Sequence, residues 1–489
     1  MRFPRASGIL LHPTSLPGPH GVGGLGPEAY RFADFLAAAG VKIWQMLPLG
    51  PTGYGDSPYQ CFSAFAGNPF LISPEKLVGK GLLEEQELAA KPDFPEDTVD
   101  FPRMIAWKLS LFEKAYERFL SLPAAREHRR DEFPWLDDFA RFMALKLANR
   151  MVVWTRWDPA VHASARDIGF QKFLQHEFFE QWRELRAYCH ARGIRLMGDI
   201  PIYVAHDSSD VWANRSLFDL AQDGEPNYVA GVPPDYFSAT GQLWGNPIYR
   251  WKAMEETGFQ WWVERFRATF GMVDIVRLDH FRGFEAYWRV PGGDKTAVNG
   301  QWIKAPGERL FEAVQEALGP LPIVAENLGV ITPEVEAMRE RFGFPGMSVL
   351  QFAFGSDPQG PSFRPHNYPV HRFAYTGTHD NDTTIGWWTS AGPGGSTRSG
   401  ADLEKERAFC RAYLNTEGQQ MNWDFIRAVM ASVACTAVAP MQDLLGLGSQ
   451  ARMNLPGEPS GHWRWRCPTS ALEPALSRRL RALIELYDR

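Results

Sequence analysis

Four acidic residues close short apolar runs: Asp199 in LMGDIP, Asp279 in VRLDHF, Glu326 in VAENLG and Asp380 in GTHDND. Taken singly, each reads well enough as a helix N-cap or a solvated loop acid, because aspartate is favoured in such places. Four in succession suggest a shared site. In VDIVRLDHFRG (273–283) the residues are apolar first and charged last. Arg277 and Asp279 are two apart, so on a strand they face one side. An arginine beside an aspartate favours the ionised carboxylate, which suits a nucleophile at neutral pH.

The aromatic content says what such acids could act on. The chain is 13% aromatic with 18 Trp, and several aromatics fall in Gly/Pro-rich segments: Tyr54, Tyr59, Tyr236, Phe237 and Trp244. A sugar ring has an apolar face of C–H groups edged by hydroxyls, so flat aromatics beside acids, amides and arginine make a suitable lining for it. The helical tryptophans Trp182, Trp261 and Trp262 read better as core. In the loop-like GVPPDYFSATGQLWGNP (231–247) burial is a poorer explanation, since loops lie at the surface. Acids around a sugar point to glycosidic-bond chemistry. One carboxyl protonates the leaving oxygen while another attacks the anomeric carbon or activates water.

Eight runs read as strands: 8–12, 42–49, 194–202, 273–279, 323–327, 348–354, 373–380 and 434–443. Helical patterns separate most of them, as in 27–40, 170–193, 307–319 and 333–343, with apolar residues spaced by three and four. Several begin at Pro and stop at Gly. Eight strand–helix units predict an α/β protein with a (β/α)8 barrel, and the polar Gly/Pro-rich segments after the strands gather at its C-terminal mouth. About 140 residues separate the second run from the third, and about 70 the third from the fourth, both too long for ordinary connections. The expectation is one catalytic barrel over residues 1–489, with insertions at about 55–190, largely helical, and about 201–255, loops that cover the substrate.

Composition narrows the alternatives. At 45% hydrophobic and 22% charged the chain is globular, and a net charge of -6 with scattered Lys and Arg gives no nucleic-acid footprint. The longest apolar run, 428–441, falls short of the roughly 20 residues a membrane span needs. The N-terminus makes a poor signal peptide, so a cytoplasmic location is expected. Five widely spaced cysteines without C-x-x-C suggest neither disulfides nor zinc. His206–Asp207 and Cys189–His190 are too few ligands for a metal. GVGGLG (21–26) lacks Rossmann spacing and no phosphate loop occurs. No metal or cofactor is expected, and the sequence carries no signal for oligomeric state.

Beyond these readings, the motifs SLPGPHGVGGLG (15–26), GPTGYGDSPYQCFSAFAGNP (50–69), GDIPIYVAHDSSDVWAN (198–214), GVPPDYFSATGQLWGNPIY (231–249), VRLDHFRGF (276–284), AENLG (325–329), GTHDNDTTIGWW (377–388) and APMQDLLGLGSQARMNLPG (439–457) closely resemble the 4-α-glucanotransferases of the amylomaltase, or disproportionating, type, glycoside hydrolase family 77. The likeness runs nearly end to end and is weakest over 74–167. It implies a (β/α)8 barrel acting on α-1,4-glucans and maltooligosaccharides, with Asp279 as nucleophile, Glu326 as general acid/base and Asp380 holding the donor sugar. It also implies sugar contacts at Arg277, His379 and Asp199, and at Tyr59 with Asp56 and Ser57. On the acceptor side it implies Asp235, Phe237, Gln242, Trp244 and Asn246, with Tyr54 at a secondary glucan site. An α-glucan hydrolase would carry the same trio, with water as acceptor. A non-catalytic glucan-binding protein would need the aromatics but not the acids.

Overall fold

The computed structural model describes residues 3–122, 133–234, 240–390, 400–458 and 460–489. Among them, twelve strands follow in chain order: β1 (Ala6–Leu10), β2 (Ile43–Gln45), β3 (Arg195–Ile200), β4 (Tyr228–Val232), β5 (Gln242–Pro247), β6 (Ile275–Leu278), β7 (Ala286–Pro291), β8 (Gln301–Lys304), β9 (Ile323–Ala325), β10 (Gly346–Val349), β11 (Arg372–Tyr375) and β12 (Thr436–Pro440). Eight of them form a parallel sheet in the order β10-β11-β12-β1-β2-β3-β6-β9. Each lies within or overlaps one of the eight runs expected from sequence. The two ends of the sheet meet where the Ala325 N–H donates to the Pro345 carbonyl at 2.9 Å, so the sheet curls into a nearly closed (β/α)8 barrel.

Helices cover the outside of this sheet and its own side chains fill the inside, so its strands are apolar runs without alternation. β1, β10 and β12 are buried at every position. The helix Pro27–Ala39 opens on a proline and stops at Gly40, whose φ of 80° is left-handed. Between β2 and β3 lie the helices Phe101–Leu120, Leu136–Ala148 and Ala165–Ala191. Phe112, Phe142 and Phe178 carry them into the same continuous core as Ile43 and Leu196 of the barrel. Trp182 and Trp262 are fully buried in that core, and the Trp182 indole donates to the Met272 carbonyl at 3.0 Å.

The sequence pattern predicts no strands around 228–247 or 286–304. There the chain builds a separate antiparallel sheet in the order β5-β4-β7-β8. Its pattern is hard to see in sequence, because β8 is mostly exposed and β4 and β5 flank a Gly/Pro-rich connection. A small apolar cluster of Val229, Val290 and Ala297, backed by Leu243 and Trp288, holds it together. Among the described residues no helix is long and apolar enough to cross a membrane.

Candidate active site

Strand register assembles the charges. Asp199 and Arg277 are direct partners in the β3–β6 ladder, and Leu278 partners Ala325 between β6 and β9. The next residues, Asp279 and Glu326, therefore leave the sheet side by side at its carboxyl end. Asp279 N–H donates to the Ile200 carbonyl and Glu326 N–H to the Leu278 carbonyl, both at 3.0 Å. In a barrel this end is where loops and strand termini build a site.

Arg277 Nη1 donates to Asp199 Oδ2 and to Asp279 Oδ1, each at 2.7 Å. The Arg277 side chain is 4% exposed and that of Asp199 is fully covered, whereas Asp279 is 25% exposed and faces the opening. Buried charges persist only when paired, so one guanidinium between two carboxylates is a stable arrangement that loses much if any member is removed. Asp199 also accepts from the Tyr59 hydroxyl at 2.7 Å. Burial raises its pKa to about 6 against the pull of Arg277.

Glu326 lies in a different environment a few ångströms away. Its Oε2 accepts the His280 N–H and its Oε1 the Leu328 N–H, both at 2.8 Å. Burial raises its pKa to about 7, with Arg277 opposing and Asp279 reinforcing the shift. The result is a carboxyl that still holds its proton near neutrality. His280 turns its N–H toward Glu326 by adopting a left-handed φ of 48°. This conformation is uncommon outside glycine and is found where surrounding structure enforces it. Gly283 is part of that enforcement, since a Cβ there would stand 2.9 Å from His280 Cδ2 and 2.6 Å from Ile202 Cδ1.

The fourth acid arrives from the loop after β11. Asp380 Oδ1 accepts from Asn454 Nδ2 at 2.7 Å, its Oδ2 lies 3.3 Å from His379 Nε2, and its backbone carbonyl accepts from Arg452 Nη2 at 2.7 Å. Burial alone would push the Asp380 carboxyl up, but His379, Asn454 and Arg277 outweigh it and hold the group well below the usual carboxylate range. The Tyr59 ring stacks on His379 at 5.1 Å between centroids, tying this loop to the Asp199 side of the mouth. Asp443 supports the loop from below, accepting from Thr376 Oγ1 at 2.6 Å, Thr384 N at 2.7 Å and Thr384 Oγ1 at 2.8 Å.

Asn454 and Asp443 were not singled out from sequence. Asp443 carries the same signal as the other four, an acid closing a strand run, but its oxygens are engaged within the protein. Asn454 sits 74 positions from Asp380, and no local pattern links them.

The remaining candidates divide by placement. Ser57 Oγ accepts the Tyr59 N–H at 3.2 Å, and Asp56 lies 3.8 Å from Arg464, its pKa raised by partial burial with Arg464 opposing. Gln242 Oε1 accepts from the Trp244 indole at 3.1 Å, and Trp244 stands edge-on to His280 at 4.8 Å. Asn246 is buried, with Nδ2 on the Val204 carbonyl at 2.9 Å and Oδ1 taking Gln60 Nε2 at 3.2 Å. Asp235 and Phe237 lie outside the described residues, as does the side chain of Tyr54, whose backbone opens the single turn Tyr54–Asp56.

Comparison with known proteins identifies the group. The profile of the 4-alpha-glucanotransferase family matches residues 11–471. A 4-alpha-glucanotransferase of Thermus thermophilus is 49% identical over the full length of both chains, and one from a Synechocystis strain is 49% identical over 99% of this chain and 98% of its own. The chain belongs to the 4-alpha-glucanotransferase family. Within that family, the amylomaltase from Streptococcus agalactiae, solved in complex with acarbose, superposes with a TM-score of 0.93 at 37% identity, covering 99% of each chain. The eight-stranded barrel is thus the family's barrel. One further set of possible metal ligands occurs among the described residues of this 4-alpha-glucanotransferase, His176, Glu177 and Glu180. The Lys80 ammonium already lies 2.8 Å from both glutamates, which supplies the positive charge they need.

Proposed function

We propose that the chain transfers α-1,4-glucan segments from donor to acceptor glucan by a retaining double displacement. Asp279 is the nucleophile, and one of its carboxylate oxygens bonds C1 of the donor sugar as the bond from C1 to the leaving oxygen breaks. Glu326 delivers its proton to that oxygen, so the departing glucan leaves with a free 4-hydroxyl. In the second half Glu326, now a carboxylate, takes the proton from the 4-hydroxyl of an incoming glucan. The freed oxygen attacks C1, the Asp279 ester breaks, and an α-1,4 bond forms again.

The observation that carries this reading is the contrast across one register step. Asp279 rests on the Arg277 guanidinium, while Glu326, partly buried, takes backbone N–H donors on both of its carboxyl oxygens. One group is suited to attack, the other to hold and return a proton. Asp380, anchored by Asn454 and His379, holds the donor sugar and balances positive charge as it develops at C1. Arg277, His379 and Tyr59 border the sugar at the point of cleavage, and the covered Asp199 holds Arg277 and Tyr59 in place behind them. Gln242 and Trp244, with Asp235 and Phe237, form the acceptor side, and Asn246 braces it. Asp56 and Ser57 belong to the substrate-contacting segment, and Tyr54 to a second glucan contact.

We extend the proposal to a single catalytic barrel with the two inserted regions, at work in the cytoplasm without a cofactor. The acceptor side excludes water from the covalent intermediate, which separates transfer from hydrolysis. A time course with maltotriose tests this. Transfer yields free glucose together with maltooligosaccharides longer than the starting sugar. New reducing ends without elongation would instead identify a hydrolase.

A further inference from the structure

Neighbouring strands of the barrel are joined by hydrogen-bonded ladders through the whole order from β10 to β9, but the seam between β9 and β10 has none. There one backbone bond, from the Ala325 N–H to the Pro345 carbonyl, and a side chain do the joining. Asn327 Oδ1 accepts the Met347 N–H at 2.9 Å, the place a strand carbonyl would fill, and its Nδ2 donates to Glu336 Oε1 at 2.6 Å. Arg372 Nη1 makes a longer donation to the same Oδ1 at 3.3 Å. Glu336 is fixed in turn by Arg339 at 2.7 and 3.0 Å, and Arg339 Nη1 donates to the Phe344 carbonyl at 2.6 Å. Gly346 leaves room for the amide, since a Cβ there would come within 2.6 Å of Asn327 Oδ1.

Asn327 lies directly between Glu326 and Leu328, the residue whose N–H holds Glu326 Oε1. We infer that Asn327 is a positioning residue for the proton transfer. Its buried amide bolts the 326–328 backbone to β10 and so keeps the Glu326 carboxyl aimed at the leaving oxygen. The inference rests on the roles proposed above for Asp279 and Glu326. Without that tie the backbone would be fixed to the β10 side only at Ala325 and to the β6 side by the Glu326 N–H and carbonyl, which lets the carboxyl swing by about an ångström, and misplacement on that scale costs about 100-fold in rate.

Two donors separate positioning from general damage. Maltotriose needs a proton on its leaving oxygen. α-Maltosyl fluoride does not: fluoride departs with the C1–F electron pair as an Asp279 oxygen bonds C1, and added azide then bonds C1 and displaces the carboxylate without help from a base. Asn327→Ala should lower glucose release from maltotriose about 10- to 100-fold while fluoride release with azide stays within about threefold of the parent. Asn327→Asp combined with Glu336→Gln reverses the polarity of the bond and should restore the maltotriose rate. An equal fall on both donors, no fall on either, or no recovery in the swapped pair overturns the inference. Should Asn327→Ala not fold, Asn327→Asp alone and the swapped pair carry the test by the same ratio. Glu326→Ala is the reference. If it fails equally on both donors, the acid/base reading of Glu326 falls and this inference with it. If it shows the split and the Asn327 variants do not, only the inference falls.

Discussion

Asp199 and Arg277 meet because their strands are in register, whereas Trp244 stands beside His280 from a sheet that shares no ladder with the barrel. The two regions position side chains by different physics. At the mouth, parallel pairing of β3, β6 and β9 fixes where each carboxyl leaves the backbone, and a buried guanidinium locks two of them. The small sheet has antiparallel ladders of its own, but none to the barrel, and its side chains are placed by a cluster of three buried apolar residues and a few side-chain hydrogen bonds. In the proposed mechanism, chemistry that tolerates no displacement is built on the first, and contacts that must suit varied glucan chains on the second.

The largest effect is expected at the centre of the barrel mouth. Asp279→Ala removes the proposed attacking group and should abolish transfer from maltotriose, a fall of about 10⁴-fold or more in kcat. It leaves Arg277 paired with Asp199, so the variant should remain folded by circular dichroism. Retained transfer would sink the assignment.

Arg277→Ala comes next, because it strips the partner from two carboxylates at once. Breaking a buried pair of this kind costs roughly 3–5 kcal/mol of stability, and kcat should fall by about 10²-fold or more. Denaturant unfolding and maltotriose kinetics measure both, and an unchanged kcat would remove Arg277 from the chemical step.

On the small sheet the effects shrink. Trp244→Ala should raise the acceptor KM roughly 10-fold, with donor chemistry on α-maltosyl fluoride and global stability close to the parent. A large loss of stability would show that the second sheet is as integral to the fold as the barrel ladder.

The finest distinction is one of pH. Glu326 binds its proton more tightly folded than unfolded, because burial raises it to about 7 from the ordinary glutamate range. Between those two values the native state holds more protons, so stability falls as pH rises through this window. Glu326→Gln removes that loss. Its Tm should match the parent at pH 4 and exceed it at pH 8. A difference that does not widen with pH would contradict the assigned environment.

Much of this was legible in the chain itself. The eight barrel strands announce themselves as apolar runs because both of their faces are covered. The acids at the strand ends stand out because charge closing a buried run needs a reason. The spacing of Arg277 and Asp279 shows that they share a face, since side chains alternate along a strand. The second sheet did not show, because its strands are partly exposed and carry glycine or proline, and because antiparallel edges are defined by partners that sequence does not display.

Residue type and local period thus pointed to the acids at the strand ends as candidates and to the elements on which they stand. Only the tertiary structure decided their partners: that one Arg277 nitrogen serves both Asp199 and Asp279, that burial raises the Glu326 carboxyl beside them, that Asn454 holds Asp380 from 74 positions away, and that Asn327 spans the barrel seam. Periodicity is a property of neighbours along the chain, whereas register, burial and long-range hydrogen bonds arise only when distant segments are brought within a few ångströms.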